Sequence, residues 1–196
     1  MFYPFQNSIS DFCMPPPPIT DKPLVVRLKV TTTGMSQVGK SCLIKHYCEG
    51  RFVKKYLPTI GVDYGVRALE LEGCTVRINF FDLSGLDEYQ DIRKEFYSDT
   101  QGLLLVFDMS NRESFTALEK YYGEFVKSSP GAGSATASVY LIGTKADLPA
   151  AVSVDEATAY ASRLKATFFK VSSCTGDGVA SALNTIFKQI FSKTRA

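Results

Sequence analysis

The stretch GMSQVGKS, Gly34–Ser41, has the spacing GxxxxGK[ST] at which a chain can wrap itself around a phosphate. Glycines at both ends allow the tight curl that aims successive backbone N–H groups at one anion. Lys40 can reach the outer phosphate oxygens as a point charge, and the Ser41 hydroxyl is a hard donor suited to Mg²⁺. Ser36, Gln37, Val38 and Gly39 form the middle of the loop, and Cys42 follows it. An ordinary glycine turn before a helix has no need of Lys-Ser after its second glycine. Four later stretches carry further chemistry-bearing residues: Thr59 in YLPTIGVDYG, Asp82 and Gly85 in FDLSG, Thr144, Lys145 and Asp147 in GTKADL, and Ser172, Ser173 and Cys174 in VSSCTGDG.

These residues need a scaffold that gathers them. LVVRLKVTTT reads as a strand running straight into Gly34, and a helix is expected from about Lys40 to Glu49, stopped by Gly50. VDYGVRALEL and CTVRINFFDL alternate about a Glu72-Gly73 turn, as an antiparallel hairpin does. Apolar strands then alternate with helical segments: QGLLLVFD and SNRESFTALEKYYGEFVK, SVYLIG and VDEATAYASRLK, TFFKVSS and GVASALNTIFKQIF. Short, almost wholly apolar strands belong to parallel sheets covered on both faces. The expected fold is therefore α/β, a six-stranded, mostly parallel sheet with one antiparallel edge strand and helices on both faces. Ligands on such sheets bind at the carboxyl ends of the strands, where these motifs fall. Residues 1–23, with the run Pro15–Pro18, read as a proline-rich extension, a stiff linker or a ligand for an SH3- or WW-type groove. SSPGAGSATA reads as a surface loop.

Composition narrows the field. Hydrophobic residues make up 45% of the 196, enough for one packed core. The balance of 22 basic against 20 acidic residues argues against a nucleic-acid partner held by a basic face. Five cysteines without CxxC spacing argue against a disulfide framework or zinc site and for a reducing compartment. With neither a secretory signal nor an apolar run of spanning length, a cytoplasmic protein is expected.

Taken in order, these stretches resemble the Ras-superfamily small GTPases over residues 24–192. KYLPTIGVDYG and FYSDTQGLLLVFD are most similar to Rab proteins, and KSCLIKHYCEGRFVKKYLPTIGVDYGV is similar to the RJL branch of Rab-like GTPases, some of which carry a DnaJ domain. The resemblance implies a G domain over 24–193 followed by a tail at 194–196. It implies GTP and GDP as ligands, with Mg²⁺ bound by Ser41 and Thr59 and, through water, by Asp82. Thr59 and Gly85 would donate backbone N–H groups to the γ-phosphate. Asp147 would accept the two guanine N–H groups. The Lys145 stem and Phe52 would cover the two faces of the base, with the Lys145 head bracing the phosphate loop, and the Ser173 N–H would meet the guanine carbonyl. Effectors would dock on residues 51–66 and 83–98, and exchange factors, hydrolysis activators and a DnaJ/Hsp70 connection become candidate partners, with signalling or vesicle trafficking as the setting.

The pattern breaks where hydrolysis is done. Leu86 stands where most relatives have the glutamine that orients the attacking water, and it offers neither donor nor acceptor. Ser36 stands where many have glycine, crowding the place where glutamine and an arginine finger meet. Binding should survive both changes while unaided hydrolysis, already about 10⁻⁴ s⁻¹ in such proteins, falls further. Gln37 and Gln90 are weak substitutes, because neither occupies the matching place. A conventional cycle completed by a partner that supplies glutamine and arginine is the alternative. A nucleotide-free relative or an adenine-nucleotide enzyme is disfavoured by the intact binding residues. Thr144 replaces a frequent asparagine, which should leave guanine selectivity intact, and Cys174 replaces a base-clamping lysine or leucine. After Cys174 no cysteine follows to carry a prenyl anchor, so either membrane contact comes through partners or an anchor or a DnaJ domain lies beyond these residues.

Overall fold

The computed structural model describes residues 25–129 and 137–195. The proline-rich segment, most of SSPGAGSATA and Ala196 lie outside the described residues.

The β-branched run after Leu24 forms β1 (Val25–Thr33), which leads through the phosphate loop into α1 (Lys40–Glu49). Gly50 stops α1 in the left-handed conformation, its N–H returning to the His46 carbonyl. The hairpin follows as β2 (Val62–Leu71) and β3 (Cys74–Leu83). Next come a 3₁₀ turn at Asp87–Tyr89 and a short α2 (Gln90–Phe96). The remaining alternation is β4 (Gly102–Asp108), α3 (Arg112–Thr116), α4 (Leu118–Ser128), β5 (Ser138–Thr144), α5 (Val154–Arg163), β6 (Thr167–Lys170) and α6 (Val179–Arg195). The six strands form one sheet in the order β2-β3-β1-β4-β5-β6, with β2 antiparallel at its edge and the other pairs parallel. The expected sheet is the observed one.

β4 is buried along its whole length, and its period of two sends alternate side chains to opposite layers. Leu104 and Val106 pack with Leu43 and Tyr47 of α1 and Ile186, Phe187 and Ile190 of α6. Leu103, Leu105 and Phe107 pack with Leu118, Phe125, Ala157 and Tyr160 beneath α4 and α5. Two differences from the sequence reading stand out. The segment from Ser110 to Lys127 divides at Ala117 into two helices, where the Ala117 carbonyl accepts from the Lys120 N–H by a tighter i+3 bond as well as from Tyr121. The second is α2, whose sequence shows no apolar stripe: its single buried residue is charged, Arg93. Among the described residues no helix is long and apolar enough to cross a membrane.

In the first layer, Phe187 is fully buried with edge contacts to Tyr47 and Phe80 at ring-centroid distances of 5.5 and 5.6 Å. Phe187→Ala is expected to lower the unfolding free energy by about 3 to 5 kcal/mol, from lost transfer energy and the cavity left behind. Urea denaturation with an unchanged m-value checks this.

Candidate functional site

The loops after β1, β3, β5 and β6, together with residues 52–59, line one cleft of about 360 Å³ at the carboxyl edge of the sheet. β1 delivers the phosphate loop. Gly34 takes a φ of +142°, and a Cβ there would lie 2.1 Å from the Val106 carbonyl oxygen of β4, so only glycine fits. Gly39 at φ +100° and Gln37 at φ +65° complete the curl. Lys40 turns back under the loop and donates from Nζ to the Gly34 and Met35 carbonyls, both at 2.9 Å. Burial pushes the Lys40 ammonium down to about 8, against the raising field of Asp82 and with a smaller lowering contribution from Arg93.

At the end of β3 the parallel register sets Asp82 beside Thr32. The buried Asp82 carboxylate accepts from Thr32 Oγ1 at 2.8 Å and from Ser41 Oγ at 2.5 Å. Ser41 Oγ in turn shares a hydrogen bond of 3.0 Å with Thr59 Oγ1. Desolvation raises the Asp82 carboxyl above its usual range; Lys40 and the two hydroxyls pull it back down. Two hydroxyls and a carboxylate thus converge, a set of hard oxygen donors that fits Mg²⁺. Among the described residues there is no group of three or more His, Cys, Asp or Glu side chains placed to hold a metal. A cation here would therefore need oxygens brought by a ligand, as Mg²⁺ does when it arrives on a phosphate.

The other end of the cleft is built by the loops after β5 and β6. Lys145 and Asp147 line it, Lys145 in the left-handed region at φ +55°. Asp147 accepts from Ser172 Oγ at 2.5 Å, which fixes one carboxylate oxygen and leaves acceptor capacity on the other. Phe52, Ser173 and Cys174 line the same end. The buried Ser173 hydroxyl has no hydrogen-bond partner among the described residues, an orphan that a polar ligand edge would satisfy. The Lys145 head is placed differently from the sequence expectation. It pairs with Asp108 Oδ2 at 2.6 Å rather than bracing the phosphate loop, because Asp108 ends the neighbouring β4 in register with Thr144.

The bracing falls to Thr144. Its hydroxyl lies 2.5 Å from the Val38 carbonyl and 2.9 Å from that of Phe107, and its one hydrogen serves either. Thr144, a sequence candidate for the site and a departure from a frequent asparagine, therefore ties the phosphate loop to the sheet. Sequence reasoning also missed Tyr56, whose hydroxyl shares a hydrogen bond of 2.8 Å with Ser36 Oγ and spans the mouth of the cleft. Cys42 lines the cleft half-buried, with its thiol raised by burial, while Val38 is buried behind the loop. Gly85 lies against the loop so closely that a Cβ would sit 2.3 Å from the Ser36 nitrogen. Leu86 does not line the cleft, and Gln90 is engaged elsewhere, donating from Nε2 to Glu124 at 3.1 Å.

With this arrangement in view, comparison by sequence is decisive. A sequence model of the Ras family matches residues 29–192. The chain belongs to the Ras family. It is similar to DnaJ homolog subfamily C member 27 of Gallus gallus, 38% identical over 168 residues that cover 84% of this chain and 62% of that protein. The protein of the same name in Homo sapiens is 36% identical over the same shares, and that of Danio rerio 37% identical over 85% of this chain and 61% of the relative. The chain thus spans about three fifths of the length of the curated relatives it matches. Ras-family proteins bind guanine nucleotides, and the cleft offers an anion loop at one end and a carboxylate at the other.

Replacing Thr144 by Val keeps the shape and removes the only donor it offers to the Val38 and Phe107 carbonyls. Thr144→Val is expected to lower the unfolding free energy by about 1 to 3 kcal/mol. Chemical denaturation of the purified chain tests it, and an unchanged midpoint would contradict the bracing role.

Proposed function

We propose that the chain is a guanine-nucleotide switch of the Rab-like, RJL type that binds GTP and GDP with Mg²⁺ and hydrolyses GTP very slowly by itself. The observation that carries this reading is the meeting of three donor sets at one cleft: Lys40 under the phosphate loop, the Ser41 and Thr59 hydroxyls with Asp82 held behind them by Ser41, and Asp147 held by Ser172. Lys40 and the loop N–H groups would hold the β- and γ-phosphates, and the three oxygens would complete a cation's shell. Asp147 would read the guanine edge while the Lys145 stem and Phe52 cover its faces. Mg²⁺, when bound, would neutralise charge between the outer phosphates.

The weak step follows from the same residues. Positioning water for in-line attack requires a side chain that both donates and accepts. Leu86 does neither, and Gln90 is committed to Glu124. Ser36, tied to Tyr56, would crowd the place where an arginine finger meets the phosphates. The residues that would grip the nucleotide are untouched by either substitution. A protein of this kind stays charged with GTP and recruits effectors through 51–66 and 83–98, where Leu57, Ile60 and Tyr64 are exposed. The names of the relatives support a working connection to DnaJ-type chaperone partners.

Denaturing the purified chain and chromatographing the released nucleotide tests this. Mostly GTP is expected. Mostly GDP favours a conventionally cycling enzyme, and no nucleotide, with none bound on addition, contradicts the reading. Leu86→Gln is expected to raise single-turnover hydrolysis about tenfold or more over the parent chain.

A further inference from the structure

The backbone from Ser84 to Leu86 is held by side chains that no nucleotide contact explains. Arg93 of α2, fully buried, donates from Nη1 to the Ser84 carbonyl at 3.0 Å and to the Leu86 carbonyl at 2.6 Å. The carbonyl between them, Gly85, accepts from the Tyr121 hydroxyl of α4 at 2.8 Å. Three successive carbonyls are thereby pinned. Arg93 is fixed in turn by a two-pronged pair with Glu124 of α4, Nε to Oε2 at 2.9 Å and Nη2 to Oε1 at 3.0 Å. The Arg93 guanidinium also lies 5.1 Å from the Tyr121 ring centroid.

A trans peptide is planar, so the carbonyl of one residue and the N–H of the next point in opposite directions. All the described peptides here are trans. With the Ser84 carbonyl turned onto Arg93, the Gly85 N–H must face away from Arg93, and it makes no hydrogen bond to any described residue. Gly85 itself lines the cleft against the phosphate loop. We infer that Arg93, Glu124 and Tyr121 form a clamp that holds the Gly85 N–H toward the terminal-phosphate position, making this chain favour the triphosphate over the diphosphate without help from a glutamine. They are positioning residues, acting through two peptide planes. Arg93, held by Glu124, orients the Ser84–Gly85 plane that carries the Gly85 N–H, and Tyr121 fixes the following plane and so the ψ of Gly85. The inference rests on the guanine-nucleotide reading above. A buried ion pair is well suited to such positioning, since its geometry is fixed at both ends and the dipole it orients is preorganised before the ligand arrives.

The test is a pair of affinities, for a fluorescent non-hydrolysable GTP analogue and for fluorescent GDP, measured on the nucleotide-stripped full chain with Mg²⁺. Tyr121→Phe removes one oxygen and keeps the ring, while Arg93→Lys removes the fork. Thermal melting establishes that each variant is folded, and Tyr121→Phe carries the test where Arg93→Lys does not fold. Affinity for the GTP analogue is expected to fall about tenfold, the worth of one charge-assisted hydrogen bond, with GDP affinity changing much less. Equal losses for both ligands, or no loss for either, would overturn the clamp alone. A wild-type chain that binds neither ligand would overturn both the clamp and the reading beneath it.

Discussion

The structure depends on one unusual charge. Lys40 is almost completely buried, and its hydrogen bonds go to two neutral carbonyls of its own loop, Gly34 and Met35. A buried ammonium is costly unless it is paired, and Asp82, the nearest acidic influence, is itself engaged by Thr32 and Ser41. The cation therefore folds the loop around itself and leaves its charge only partly compensated. An anion in the loop is its natural complement. The close approach of Gly34 to Val106, the Thr144 brace and the packing of Gly85 onto Ser36 all serve to hold that loop in place.

Gripping and cutting are separable in such a site because they use different atoms. Grip comes from lysine, backbone N–H groups and a carboxylate at fixed positions. Cutting a phosphate needs, in addition, a side chain that aims a water molecule. On the function proposed above, leucine at position 86 would remove that element and leave the others in place. The anchoring of residues 84–86 by Arg93 and Tyr121 further gives this region a defined shape that owes nothing to glutamine. The exposed apolar residues Leu57 and Ile60 flank this region, whose Ser84 N–H donates to the Gly61 carbonyl at 2.9 Å.

The strands, the hairpin turn at Glu72-Gly73 and the ends of α1 were legible because each has a strong local cause: alternation, a turn dipeptide, a glycine stop. The phosphate loop was legible because its chemistry demands fixed residue types at fixed spacing. Other features were hidden for physical reasons. α2 escaped notice because its one buried contact is Arg93, and a search for apolar periodicity passes over a charged anchor. The pairing of Lys145 with Asp108, 37 positions earlier in the chain, depends on the β4–β5 register rather than on any local pattern. The Ser36–Tyr56 contact joins two loops, whose relative placement no local pattern specifies.

Calorimetric titration of the nucleotide-stripped chain with a non-hydrolysable GTP analogue, for wild type and for Lys40→Met, tests the central claim most directly. Methionine keeps the unbranched stem and removes the charge. The account predicts tight binding by the wild type and a loss on the order of a hundredfold in the folded variant, as expected when a charged partner of the phosphates disappears. Equal affinities for the two proteins would contradict it.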